Sequence, residues 1–80
     1  MGKVIVRFYA AARDAAGITE IQVFPGPLQE MLRDTSQGNA LLAQVLERCS
    51  FLIDGAICHD RSIEIFAGST VDVLPPFAGG

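Results

Sequence analysis

Basic residues are scarce in this chain. One lysine, Lys3, and five scattered arginines (Arg7, Arg13, Arg33, Arg48, Arg61) stand against nine carboxylates, for a net charge of −3. No stripe of cations is available to neutralise a phosphate backbone, so nucleic acid is excluded as a partner. The mild acidity suits a basic protein partner instead. Long apolar runs are missing too. Phe51-Leu52-Ile53 is cut at once by Asp54, far short of the roughly 20 residues a membrane-spanning helix needs. The first residues lack the apolar stretch of a secretory signal, and Val6 stands where a myristoylation motif wants Ser or Thr. Only Cys49 and Cys58 are cysteines. With no export signal the expectation is a cytoplasmic protein with reduced thiols.

Catalytic and ligand-binding signatures are equally sparse. The internal glycines Gly26, Gly38 and Gly55 are isolated, and no Gly-x-x-x-x-Gly-Lys cradle for a nucleotide occurs. The single histidine lies in Cys58-His59-Asp60. Adjacent residues of a strand point to opposite faces, so Cys58 and His59 are poorly placed to act as nucleophile and base. That group is read as a half-buried thiol beside a solvated turn, and no metal site or bound cofactor is expected. Arg13-Asp14 is read as a solvated charge pair of little energetic consequence.

What is present is a small core. Half of the 80 residues are apolar and 19% are charged, a globular balance. A chain this short makes one domain and buries only about 60% of its unfolded surface. Val4, Val6 and Phe8 alternate along a first strand over 3–9, and Ile21 and Val23 along a second within 18–24. The two read as an antiparallel hairpin joined by a connection over 10–17 that ends in Gly17. Pro25-Gly26-Pro27 marks the entry to a helix. Leu28, Met31, Leu32 and Thr35 have helical spacing, as do Leu42, Val45, Leu46 and Cys49, with a break at Ser36-Gln37-Gly38-Asn39. Phe51-Leu52-Ile53 is a third strand, turned by Asp54-Gly55 into Ala56-Ile57-Cys58. Thr70 to Leu74 is the last, with Val71 and Val73 inward. A hairpin followed by a helical crossover places the last strand parallel to the first, in mid-sheet. The predicted fold is α+β: a β-grasp (ubiquitin-like) mixed sheet of about five strands on one or two short helices, with a protruding tail. The division is a domain over 1–74 and a tail over 75–80.

The sequence ends Pro75-Pro76-Phe77-Ala78-Gly79-Gly80. An α-carboxyl has an ordinary pKa of about 3.3–3.7 and is an anion near pH 7, competent to attack the α-phosphate of ATP. Two glycines without Cβ let such an end thread a narrow channel. Pro-Pro fixes φ near −65° and stiffens the spacer behind it. Phe8, Leu74 and Phe77 are candidates for docking a partner beside the tail, although the strand of Phe8 must also supply core residues.

The stretch from Gly68-Ser69-Thr70-Val71 through Pro75-Pro76 to Gly79-Gly80 resembles the G-D-E-V-x-x-x-P-P-x-x-G-G terminus of molybdopterin synthase small subunits. These belong to the MoaD/ThiS group of ubiquitin-like sulfur carriers. The opening, from Val4 through Phe8-Tyr9-Ala10 to Arg13 and Gly17, is similar to that family's V-x-x-F/Y-x-x-x-R-x-x-x-G. Phe51-Leu52-Ile53-Asp54-Gly55 resembles its V-N-G turn. Ser69-Thr70 departs from the usual acidic pair, and Asp54 from Asn. The resemblance implies a carrier whose Gly80 is adenylated by a ubiquitin-activating-type enzyme with Mg-ATP. A persulfide donor then makes it a thiocarboxylate, which gives sulfur to a cyclic pterin phosphate in molybdopterin synthase. On that reading Gly80 carries the chemistry. Gly79, Ala78, Phe77, Pro76, Pro75, Leu74 and Phe8 contact the partner. The chain is a non-catalytic small subunit in a heterotetramer with a large subunit that holds the catalytic groups. The open alternatives are a carrier for cysteine, thiamin or tRNA thiolation, a ubiquitin-like protein modifier, and an interaction domain with an incidental diglycine.

Overall fold

The computed structural model describes residues 2–76. Strand β1 (Val4–Phe8) turns Val4, Val6 and Phe8 into the core and Ile5 and Arg7 away from it, as a period of two dictates. It pairs antiparallel with β2 (Glu20–Val23), from Val4 opposite Val23 to Arg7 opposite Glu20. The connection between them, read from the sequence only as a short link ending in Gly17, is a helix, α1 (Ala10–Ala16). Five of its seven residues are alanine, the strongest helix former. Only Ala12 is buried, so no apolar stripe announces the element. Gly17 stops it at φ 76, its N–H bonded to the Arg13 carbonyl at 2.9 Å, a left-handed cap open to glycine at no steric cost.

A two-residue strand β3 (Gly26–Pro27) leads into α2 (Leu28–Thr35), which buries Leu28, Met31 and Leu32. No side chain caps α2. Its first amides are satisfied instead by the loop ahead of β6 (Glu64–Ile65). Leu28 N–H donates to Ile63 O at 2.9 Å and Gln29 N–H to Arg61 O at 2.8 Å. β3 and β6 form a separate two-stranded ladder. After the predicted break, α3 (Ala40–Arg48) is capped by Asn39. Its side-chain oxygen accepts from Leu42 N–H at 3.0 Å, and its amide nitrogen donates to Ala15 O at 2.9 Å. One side chain therefore starts α3 and ties it to the end of α1.

The chain then returns through β4 (Ser50–Ile53), the Asp54-Gly55 turn and β5 (Ala56–Cys58). Asp54 at φ 50 and Gly55 at φ 87 give the turn the positive dihedrals a two-residue hairpin requires. The last strand, β7 (Thr70–Leu74), inserts between β1, parallel, and β4, antiparallel. The sheet order is β2-β1-β7-β4-β5. The expected parallel first and last strands in mid-sheet are thus present, and the fold is a ubiquitin-like β-grasp with three helices.

The core is built from Val4, Val6, Phe8, Val71, Val73 and Phe51 of the sheet against Leu28, Met31, Leu32, Leu42 and Leu46 of the helices, with Ile65 beneath. Phe51 is the largest fully buried side chain. Cys49 is buried here as the helical stripe predicted, its Sγ donating to Val45 O at 3.2 Å. Burial pushes its thiol pKa up, with nearby Arg61 opposing. The loop after β5 holds a structural arginine. Arg61 Nη2 donates to Leu46 O at 3.0 Å and Glu47 O at 3.2 Å, and its guanidinium lies 4.8 Å from the Phe51 ring centre.

Candidate functional site

The central strand β7 runs from Thr70 to Leu74 and continues into Pro75, half-buried, and Pro76, exposed. Hydrogen bonding on both sides fixes its direction. Whatever follows Pro76 therefore leaves from the best-anchored part of the sheet. The residues singled out for chemistry and for most of the docking, Phe77, Ala78, Gly79 and Gly80, lie outside the described residues. Leu74 and Phe8 lie within them, and the structure separates the two. Leu74 is half-buried on the sheet face turned away from the helices, opposite Ser50 of β4. Phe8 is 2% exposed in the core. The expectation that Phe8 docks a partner is therefore corrected: its side chain points inward with Val4 and Val6, as strand parity demands.

The same outer face carries a group the sequence reading passed over. Arg7 Nε donates to Asp72 Oδ1 at 2.8 Å and Arg7 Nη2 to Asp72 Oδ2 at 3.4 Å, while the Tyr9 hydroxyl donates to Asp72 Oδ1 at 3.2 Å. Arg7 and Asp72 are register partners on the parallel β1–β7 pair. The hydrogen bond to Asp72, followed by its charge, holds the Arg7 guanidinium above its ordinary pKa. In the same cross-strand row stand Glu20 of β2 on one side, and Leu52 of β4 and Ile57 of β5 on the other. A signal for this group existed. Arg7 and Asp72 are the single charges in two otherwise uncharged strands, VIVRF and TVDVL, and the parallel pairing brings them together.

Other candidate groups resolve into local structure. Among the described residues Arg7–Asp72 is the one ion pair; Arg13 and Asp14, read as a solvated charge pair, form no salt bridge. Cys58 Sγ donates to the Asp60 carbonyl at 3.3 Å. Asp60 Oδ1 accepts from both the N–H and the hydroxyl of Ser62, which holds its carboxyl below the usual range. Both contacts order the turn rather than activate a nucleophile. Among the described residues no three His, Cys, Asp or Glu side chains are grouped to hold a metal ion, and no helix is long and apolar enough to cross a membrane.

Solved structures share this architecture. SAMP1 from Haloferax volcanii superposes with a TM-score of 0.82 at 18% identity, covering 99% of this chain and 100% of that one. Subunit 1 or 2 in the complex of those subunits of molybdopterin-converting factor from Helicobacter pylori gives 0.73 at 22% identity, covering 98% and 99%. A second Haloferax volcanii protein, known from its solution structure, gives 0.78 at 25% identity, covering 99% and 87%. No curated protein matches the chain. The ThiS family model matches residues 6–80, all but the first few residues. With that match, and with a central strand leading into a Pro-Pro spacer, the chain belongs to the ThiS family and has its ubiquitin-like sulfur-carrier fold.

Proposed function

We propose that this protein is a sulfur carrier for molybdopterin formation and that the C-terminal carboxylate of Gly80 is its reacting group. The single observation that carries the reading is the direct run of the doubly anchored β7 into Pro75-Pro76 and the diglycine sequence. The rest of the domain contributes no reactive constellation among the described residues, so its work is to present that end. Residues 1–74 form the rigid base and 75–80 the tail.

The carboxylate attacks the α-phosphorus of Mg-ATP held by an adenylating enzyme of the ubiquitin-activating type. Pyrophosphate leaves, and an acyl-adenylate remains. Activation is needed because a carboxylate is a poor electrophile. The terminal sulfur of a protein persulfide then attacks the acyl carbon and displaces AMP. A second thiol cleaves the resulting acyl disulfide, becomes part of a disulfide itself, and leaves a thiocarboxylate on Gly80. Gly79 and Ala78 keep the approach narrow. Phe77, Pro76, Pro75 and Leu74 seat the tail in the partner, where a large subunit supplies the catalytic groups in a heterotetramer. The protein acts in the cytoplasm.

Assignment to molybdopterin is supported by the tail and opening motifs and by the Helicobacter pylori neighbour, solved as a complex of subunits 1 and 2 of molybdopterin-converting factor. The test is reconstitution. The thiocarboxylated chain, mixed with a molybdopterin synthase large subunit and cyclic pterin phosphate, yields the dithiolene product, and the uncharged chain yields none. A charged chain that binds no large subunit and makes no product contradicts the pathway, and leaves carriage for cysteine, thiamin or tRNA thiolation. A second reading, protein modification through Gly80, is favoured by the likeness to SAMP1. It predicts isopeptide-linked Gly80 adducts in cell extract.

A further inference from the structure

The two most exposed large apolar side chains among the described residues are phenylalanines, Phe24 at 75% and Phe66 at 70%. The β3–β6 ladder brings them to one end of the molecule. Gly26 lies opposite Ile65, so the antiparallel register carried outward sets Pro25 beside Phe66 and Phe24 beside Ala67. Lys3 is at the same end. Its carbonyl accepts from Gly68 N–H at 3.1 Å, and its Nζ lies 4.8 Å from the centre of the Phe24 ring. Gly2, Lys3, Phe24, Pro25 and Ala67 line a mostly apolar cleft of about 410 Å³. A single charge stands over it. Lys3 is the one lysine of the chain and has no carboxylate at ion-pair distance among the described residues. Exposed apolar side chains scattered singly are ordinary, but two exposed aromatics beside one cleft mark a binding surface. This end is the opposite one from the tail: the cleft lies at the start of β7, and the tail leaves after Leu74.

An apolar cleft under one unpaired cation fits a short segment that carries an apolar side chain and an anion a few residues away. The chain has such a segment itself in Phe77-Ala78-Gly79-Gly80, with the Gly80 carboxylate as the anion. That segment cannot reach the cleft of its own domain. The five residues of β7 rise about 16 Å, whereas four residues span at most about 14 Å and would first have to turn back on leaving Pro76. A second copy is free of that limit. We propose that the cleft binds the C-terminal tail of another copy of this chain, with the Phe77 ring beside Phe24 and the Gly80 carboxylate on Lys3 Nζ. Cleft and tail lie at opposite ends, so the contact is head-to-tail and builds open strings rather than closed pairs. One aromatic and one exposed ion pair make a small contact, with a dissociation constant on the order of 0.1–1 mM. A tail seated this way is withheld from an adenylating enzyme. That consequence rests on the sulfur-carrier reading; the association does not.

The first probe is the free peptide Pro-Pro-Phe-Ala-Gly-Gly, added to the isotope-labelled full chain and followed by amide chemical shifts. The expected result is saturable shifts at Lys3, Phe24 and Ala67. The same peptide with an amidated end should bind about fivefold more weakly, and Lys3→Met should bind the two peptides alike. Shifts absent from this end of the molecule overturn the proposal, and so does equal binding of acid and amide by the wild type. The second measurement is sedimentation of the full chain at millimolar concentration. Phe24→Asp spoils the cleft through an exposed side chain, and Phe77→Asp spoils the tail. Each variant alone should stay monomeric, and an equal mixture should form dimers and nothing larger, while the wild type forms longer strings. A Phe77→Asp chain that associates as the wild type does means that two clefts meet face to face, and overturns the proposal. A wild type that stays monomeric overturns it as well.

Discussion

Replacing Arg61 by alanine tests the packing of the helical layer onto the sheet. Its Nη2 donates to the last-turn carbonyls of α3, Leu46 O and Glu47 O, at 3.0 and 3.2 Å, and its guanidinium lies 4.8 Å from the Phe51 ring centre. Leu46 O also accepts from the Cys49 N–H at 3.2 Å, so Arg61 is its second donor, and a cation at these last-turn carbonyls also meets the favourable end of the helix dipole. Hydrogen bonds from charged donors contribute about 1.5–3 kcal/mol. A partly exposed cation–π contact adds roughly 0.5–1 kcal/mol. Because water reaches part of this site, we take the lower part of the combined range, about 2 kcal/mol. For a domain of this size that lowers Tm by roughly 8–16 °C. Arg61→Met keeps the stem over Phe51 and should recover a few tenths of a kcal/mol to about 1 kcal/mol, while the two hydrogen bonds from the guanidinium stay lost. Urea unfolding followed by circular dichroism reads both variants. A loss below about 0.5 kcal/mol for Arg61→Ala, with an unchanged denaturant slope, would refute the argument that this loop residue fastens α3.

The Cys49 thiol has its pKa raised by burial. The unfolded chain therefore releases that proton at lower pH than the folded one. The associated stability is fully present below the ordinary thiol pKa and is lost as pH rises past about 8.5 and through the folded value. Denaturation at pH 7, 9 and 10 should show this decline, and Cys49→Val should flatten it. Gly55→Ala places a Cβ at φ 87 and should cost about 1–2 kcal/mol; a cost near zero in thermal melts contradicts the turn assignment. Gly80→Ala, or one residue added after Gly80, should abolish adenylate formation while leaving the melting curve unchanged. Normal pyrophosphate release by either form sinks the proposed role of the tip.

Most of the fold was legible because burial follows element period. Val4, Val6 and Phe8, and Val71 with Val73, announce strands buried on one face. Leu28, Met31 and Leu32, then Leu42 and Leu46, announce helices on either side of a Gly-Asn break. Asp54-Gly55 announces its hairpin. α1 was not legible, because alanines that bury only Ala12 carry helix propensity without an apolar stripe. β3 and β6 were not, because two residues are too few to show a period. Phe8 was ambiguous as a docking residue until the fold showed its whole face inside. Arg7 and Asp72 are 65 positions apart, and their pairing exists only through the parallel register of β1 and β7. The chemistry proposed for Gly80 reads from the sequence alone, and the structure contributes the rigid strand behind it.

The central claim is that the end of this chain is a carrier of sulfur. Its most direct test is the intact mass of the protein after incubation with an adenylating enzyme, Mg-ATP and a sulfide source, with fragmentation to localise any change. The account predicts a gain equal to one oxygen replaced by sulfur, confined to Gly80. An unchanged mass, with an enzyme that charges its own carrier under the same conditions, would contradict it.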